Sequence, residues 1–412
     1  MGFKRVKLAC FSVNVAMAVV CNLSPVLFLT FHELYDISYT LLGLLVLINF
    51  FTQLGIDLIF SFFSHKFNIP LTVKLTPVLT VAGILLYAAA PLLFPESVYL
   101  GLVLGTVVFS ASSGLAEVLV SPVIAAIPAK DPDHEMSKLH SVYAWGVVFV
   151  IVVSTLFLLA TDGKHWQWLT IVFALVPLTA TILFCGATLP EMKTPDRVSG
   201  AIAMMKNKGL WLCILAIFLG GASECTMAQW CSGYLEAALN IPKVWGDLFG
   251  VAMFAVMLGL GRTLYAKYGK RIEAVLFLGA IGSVACYLCA ALSDNAILGL
   301  FACAFTGFCT SMMWPGSLIV ASERFPTGGV FVFAIMAAGG DLGASVGPQL
   351  VGIITDAVAA SAWAATLAER LGIFPEQLGM KLGMLVGMLF PLCAIGVYAR
   401  IRRAQQKIKD QT

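Results

Sequence analysis

Residues 98–126 read VYLGLVLGTVVFSASSGLAEVLVSPVIAA. Glu117 is the one charged side chain in a run long enough to cross the hydrocarbon core of a bilayer, which takes about 20 helical residues. Lipid offers no partner for bare backbone N–H and C=O groups, so only helices and closed barrels span it. Barrel strands alternate apolar and polar residues over short segments, and this run does not alternate. It reads as a membrane-spanning helix with an acid held at depth.

Eleven further apolar segments surround it. The full set is 6–31, 39–63, 72–93, 98–126, 139–160, 166–188, 209–235, 244–266, 273–292, 295–321, 328–356 and 380–400. The 412 residues are 60% hydrophobic and 11% charged, against roughly a quarter charged in an ordinary soluble domain. The fold class expected is therefore an all-α membrane protein of twelve transmembrane helices, with no stretch left for a separate soluble domain. Lys4, Arg5 and Lys7 precede the first run as in a signal peptide, but Val6 to Phe31 is too long for that and lacks a small-residue cleavage site. A net charge of +3 gives no argument for nucleic acid. The cysteines sit nearly all in apolar runs, and the Cys286-x-x-Cys289 pair has no histidine or second pair nearby, so packing is the reading preferred over a metal or redox site. No cofactor is expected. A Walker lysine loop, H-E-x-x-H and G-x-S-x-G are all missing, which disfavours an ATP-driven pump or an intramembrane hydrolase. The chain reads as a transporter of a small molecule and not as an enzyme.

Basic residues set the expected orientation. With the N-terminus cytoplasmic, only Lys164, Lys243, Arg370 and Lys381 of the 25 Lys and Arg fall on the far side. An even helix number with both termini cytoplasmic follows. Residues 190–208, charged and rich in Pro and Gly, form the longest cytoplasmic connection. They divide an N-terminal six-helix bundle (1–189) from a C-terminal one (209–412) with a short basic tail. The outward link 357–379 is long enough either to extend helix 11 or to form a short surface helix.

Charge inside a bilayer costs at least a few kcal/mol, so each instance is a candidate site. Glu117 in helix 4, Glu224 in helix 7 and Asp341 in helix 11 are the candidates for proton coupling, with hydrogen-bonded ties between helices as the alternative reading. Gln229 and Trp230 lie one to two turns beyond Glu224, and an acid, an amide and an indole suit a hydroxyl-rich ligand. Asp341, Ser345 and Gln349 share a helix face. Asn22, Asn49 and Gln53 are uncharged polar groups at depth, equally suited to solute hydroxyls and to helix packing. Trp314, before Pro315 in helix 10, is a candidate to line a cavity or a hinge, with packing, the commoner role of a lone tryptophan, as the alternative. His140 opens helix 5 near the surface, beside a loop holding Asp131, Asp133 and Glu135.

Six plus six helices about a basic loop resemble the major facilitator superfamily. Its loop signature is carried in degenerate form by Ser61-Phe-Phe-Ser-His-Lys-Phe-Asn68 and again by Lys267-Tyr-Gly-Lys-Arg271. Ser113-Gly-Leu-Ala-Glu117-Val-Leu-Val-Ser-Pro122, His140-Ser-Val-Tyr-Ala-Trp-Gly146, Glu224 with Gln229-Trp230 and Tyr234, Trp314-Pro315, and Gly339-Gly340 with Gly347-Pro348 and Gly352 resemble the fucose permease-like branch, in order along the chain. That resemblance implies a major facilitator fold and alternating access by rocking of two halves. It implies a sugar–proton symporter in the plasma (cell inner) membrane, working as a monomer with a small solute and a proton as partners. It assigns Asp57 and Arg262, near the cytoplasmic ends of helices 2 and 8, to gating contacts. The branch carries an acid in helix 1 beside the helix 4 glutamate; here helix 1 offers only Ser12, Asn14 and Asn22. A proton-coupled antiporter of amphipathic compounds and a non-translocating sensor are the rival readings.

Overall fold

The computed structural model describes residues 3–37, 39–161, 163–192, 203–239, 241, 245–293 and 295–409. Among these the secondary structure is helical throughout. Twelve helices are long and apolar enough to span a membrane. We number them α1 (Lys4–Val26), α2 (Leu44–Lys66), α3 (Ile69–Ala88), α4 (Val98–Ala126), α5 (Pro132–Leu158), α6 (Trp166–Phe184), α7 (Lys208–Cys231), α8 (Phe249–Tyr268), α9 (Ile272–Leu292), α10 (Ala296–Arg324), α11 (Gly329–Ala359) and α12 (Pro375–Ala404). Most of the expected connection 190–208 lies outside the described residues, as do Lys193, Arg197 and Lys243.

Every expected span is found, and the ends shift for identifiable reasons. α3 starts at Ile69 and not at 72, because the Asn68 side chain accepts the Leu71 N–H at 3.1 Å and Pro70 sits in the first turn. α5 starts earlier, at Pro132, through a polar turn whose Asp133 and Glu135 complement the helix N-terminus. α12 gains a first turn at Pro375, where Gln377 accepts the Phe374 N–H at 3.0 Å.

Prolines explain where spans break. A proline cannot donate to the carbonyl four residues before it. The helix interruptions at Ala89, Ala174, Ser311–Met312 and Met388 each fall two to four residues before Pro91, Pro177, Pro315 and Pro391. The expected end of the third span at 93 is thus corrected to Ala88, with a separate turn Ala90–Leu93 after it.

The described chain forms two compact units: Met1–Lys206 with Phe325–Ala338, and Asn207–Arg324 with Gly339–Thr412. In the first unit α4 is the central helix, 67% of its apolar window being buried, whereas α5 at 28% is peripheral. One end of this unit is closed by an aromatic cluster. Phe31, from the short helix Phe28–Tyr35, meets Trp166 edge-on at 4.9 Å, and Tyr87 and Phe109 pack alongside. Its polar edges are satisfied internally: Trp166 Nε1 donates to Tyr35 at 3.1 Å, and Ser24 and Tyr87 share a hydrogen bond of 2.9 Å. At the other end Lys7 and Glu135 pair at 3.0 Å, tying α1 to α5.

In the second unit three buried tyrosines tie α7, which continues as a helix to Leu239, to its neighbours. Tyr287 of α9 donates to Ser223 O at 2.8 Å, Tyr398 of α12 donates to Ala216 O at 3.1 Å, and Tyr234 donates to Ala290 O. Apolar side chains that soluble proteins would hide stand outside: Leu47, Phe51 and Leu58 on α2, Phe149 and Leu156 on α5, and Phe301 and Phe305 on α10. This is the surface a bilayer solvates.

Candidate functional site

In each unit a glutamate within the spans lies beside a second ionisable side chain. In the first unit Gly114 decides the geometry. A Cβ there would lie 3.1 Å from the Gln53 backbone, so glycine lets α4 approach α2 closely. Counting onward from that contact, Glu117 is one turn along α4 and Asp57 one turn along α2. Their carboxylate oxygens lie within 4.8 Å of each other. Asp57 is fully buried and Glu117 half-buried. Asp57, assigned to gating by resemblance, is in the fold the carboxyl neighbour of Glu117.

The same face of α4 continues as hydroxyls. Thr106, Ser110, Ser113 and Glu117 recur at steps of four, three and four, which places them on one side of a helix. Thr106 Oγ1, Ser110 Oγ and Ser113 Oγ are buried and have no hydrogen-bond partner among the described residues. This stripe was readable in the sequence from its spacing. On α2, the Gln53 side-chain amide donates to Asn49 at 2.6 Å, and both are buried. Asn22 donates to Ala18 O of its own helix at 2.8 Å. One amide hydrogen of each of Gln53 and Asn22 is therefore occupied within its own helix.

In the second unit Glu224 of α7 meets Arg262 of α8. One guanidinium nitrogen lies 3.0 Å from both carboxylate oxygens, with the arginine side chain 3% and the glutamate 13% exposed. Arg262 Nε also donates to Ser311 O at 2.9 Å. That carbonyl is available because its helical partner four residues on is Pro315, which has no N–H. Gly261 completes the arrangement: a Cβ there would sit 2.7 Å from Ser311 Cβ, so only glycine allows α8 this close to the break in α10. A proline and a glycine thus create the acceptor and the approach that seat the arginine. Residues that sequence reasoning assigned separately, Glu224 to proton coupling and Arg262 to gating, form one ion pair.

Trp230 donates Nε1–H to Pro348 O at 2.9 Å, joining α7 to α11. The Trp314 ring packs over Gly340, where a Cβ would lie 2.6 Å from ring carbon Cζ3. Both indoles thus pack on the glycine- and proline-rich part of α11. Asp341 is buried, while Ser345 and Gln349, on its face, are exposed. Ser345 donates to Asp341 O within the helix at 2.8 Å. Gln229 is exposed.

Comparison with known proteins follows the fold. The chain overlays on two structures of the fucose:proton symporter FucP. The first, from E. coli, has a TM-score of 0.72 at 14% identity, covering 96% of this chain and 99% of the other. The second has a TM-score of 0.74 at 15% identity over the same shares. It overlays equally on the proton:xylose symporter XylE bound to 6-bromo-6-deoxy-D-glucose, with a TM-score of 0.72 at 14% identity and 95% of each chain covered. No curated protein matches the sequence. The sequence model described as Major Facilitator Superfamily matches residues 9–348. With twelve spans, this fold and a family match over most of its length, the chain belongs to the major facilitator superfamily and is a multi-pass membrane transporter.

Proposed function

We propose that this protein is a secondary active transporter that moves a small neutral sugar in symport with a proton, by alternating access of two six-helix halves (1–189 and 209–412) joined through 190–208. The observation that carries the reading is the pair of carboxyls on α2 and α4, Asp57 and Glu117, within 4.8 Å of each other at membrane depth. Two carboxyls this close, on facing helices, give a coupling proton two neighbouring acceptors. Glu117 is the carrier in this reading, and Asp57 supplies the second carboxyl that helix 1 lacks.

Glu224 takes a different part. Its carboxylate faces a guanidinium at 3.0 Å, so protonating it would strand a buried positive charge. We assign the Glu224–Arg262 pair to holding α7, α8 and α10 in register. Asp341 remains a second candidate for the coupling proton. Asn49, Gln53, Asn22, Gln229, Trp230, Trp314 and Gln349 are assigned to the solute, since amides and indoles serve hydroxyl groups and sugar faces. The protein acts as a monomer in the plasma membrane, with both termini cytoplasmic.

The test uses vesicles carrying the purified protein. Monosaccharides are added in turn and external pH is followed, with Glu117→Gln as the control. Alkalinisation with one sugar, lost in Glu117→Gln, is the expected result. Accumulation of a labelled sugar without proton movement would discard the proton and bring sodium into question. Neither signal from folded protein would overturn the sugar reading and favour the rival, proton-coupled export of amphipathic compounds.

A further inference from the structure

The link between α11 and α12 contains a separate helix, Ala362–Leu371. Its sequence AWAATLAERL divides into three faces at about 100° per residue. Ala364 and Ala368 are fully buried and pack with Val358 and Leu378, backed by Ile354, Ile373 and Leu382. Directly beside them, over an arc of about 80°, run Trp363, Leu367 and Leu371, which are 55%, 38% and 58% exposed. The remaining arc holds Ala362, Ala365, Thr366, Glu369 and Arg370, all exposed. The apolar arc is thus wider than the part of it that touches protein, and its outer portion has a tryptophan at one end.

The helix is stopped by Gly372, whose φ of +68 takes the left-handed turn that glycine tolerates, with Ile373 N–H returning to Ala368 O at 3.0 Å. The reversal sends Ile373 inward to the Ala368 cluster and leaves Phe374 outward at 72% exposure. Phe374 adds a second aromatic ring to the exposed apolar surface.

Position decides what covers that surface. Two residues separate the helix from the end of α11 at Ala359, and three separate it from the start of α12 at Pro375. Three residues reach at most about 11 Å, and the polar layer on each side of a bilayer is about 5–8 Å deep. Both flanking helices span the membrane, so these short links keep the helix close to its surface. An amphipathic helix with an aromatic residue on the apolar face and charge on the other suits that layer. We propose that Ala362–Leu371 is an interfacial helix whose Trp363–Leu367–Leu371 stripe, extended by Phe374, is immersed in the boundary between lipid headgroups and acyl chains, with Glu369 and Arg370 facing water. Its partner is the bilayer the chain spans, and the contact anchors the junction of α11 and α12.

The full chain in nanodiscs of phosphatidylcholine and phosphatidylglycerol tests this, because both faces are then open to solvent. Subtracting the emission of Trp363→Phe from that of the intact protein isolates Trp363. The expected difference signal is quenched at least twofold more by lipid brominated near the ester group than by aqueous iodide. Quenching by iodide and not by brominated lipid would place the stripe in water and overturn the proposal. Lipid quenching that weakens as protein is crowded into each disc would assign the stripe to a second copy of the chain and also overturn it. A second variant guards against a local failure to fold: Leu367→Ser with Leu371→Ser, in the Trp363 background, should raise iodide access several-fold while the spans stay intact by circular dichroism. Unchanged iodide access there would show that the stripe does not hold the helix in lipid.

Discussion

The two units place a glutamate at membrane depth in opposite electrostatic company. Glu117 has a second carboxyl, Asp57, within 4.8 Å; Glu224 has a guanidinium at 3.0 Å. The chemical consequences diverge. An acid beside a base forms a neutral unit that is costly to disturb from either side, because removing one partner leaves the other charged and buried. An acid beside an acid is neutral only when it carries protons, so its charge state changes as protons come and go. Residue type does not distinguish the two glutamates; under the proposed function the neighbour assigns one to structure and the other to coupling.

The largest effects should appear in the second unit. Glu224→Gln or Arg262→Met alone should destabilise the protein by about 3–5 kcal/mol, the cost of breaking a buried pair, seen as a large fall in thermal midpoint or loss of monodisperse protein in detergent. Replacing both, Glu224→Leu with Arg262→Met, should recover most of that loss. Near-additive losses in the double variant would show that the two residues do not act as a pair.

The recovery should be incomplete for a local reason. Arg262 also satisfies Ser311 O at 2.9 Å, and the double variant leaves that buried carbonyl without its donor, at about 1–3 kcal/mol. Adding Pro315→Ala restores an N–H four residues on and should return a good part of the deficit. In the wild-type background Pro315→Ala should gain nothing comparable, since the carbonyl is already served. An equal gain in both backgrounds would mean that the proline acts only through helix propensity.

The first unit should respond in function and not in stability. Glu117→Gln removes one of two neighbouring acids, so the folded state should lose less than about 1 kcal/mol while proton movement with solute is lost. Asp57→Asn should likewise be tolerated, and should weaken coupling without abolishing solute binding. A stability loss in Glu117→Gln as large as that in Glu224→Gln would make Glu117 a packing tie and break the contrast between the units.

How much of this was legible beforehand divides along physical lines. The spans follow from the solvent: a run such as 98–126 with a single charge has no other stable place, and all twelve were found. Ends were less legible, because the Asn68 cap and the Pro91 break act through single hydrogen bonds that hydropathy averages away. The acids at depth were visible as anomalies of composition. Their neighbours were not, because residues 38 positions apart on α7 and α8 meet only once interhelical register is fixed. Gly114 and Gly261 set that register, and they looked like any other small residue in an apolar run.

The smallest effects lie along the hydroxyl face of α4. Thr106, Ser110 and Ser113 are buried, with no partner for their hydroxyls among the described residues. A buried hydroxyl that bonds to nothing is a cost, so Thr106→Val and Ser110→Ala should leave stability within about 1 kcal/mol of wild type or slightly raise it. Ser113, one turn before Glu117, should behave the same way in the folded protein and differently in transport. If this face receives the hydroxyls of a solute, Ser113→Ala loses one hydrogen bond and raises KM several-fold with an unchanged thermal midpoint. If KM and midpoint both stay fixed, the stripe is packing and the solute contacts lie elsewhere. If stability falls by more than about 1 kcal/mol in Thr106→Val as well, the hydroxyls are satisfied by water in the folded protein, and the face of α4 that carries Glu117 is hydrated along its length. That last outcome would sharpen the contrast between the units, because a hydrated face would give Glu117, the proposed carrier, a proton route, while Glu224 is held by Arg262.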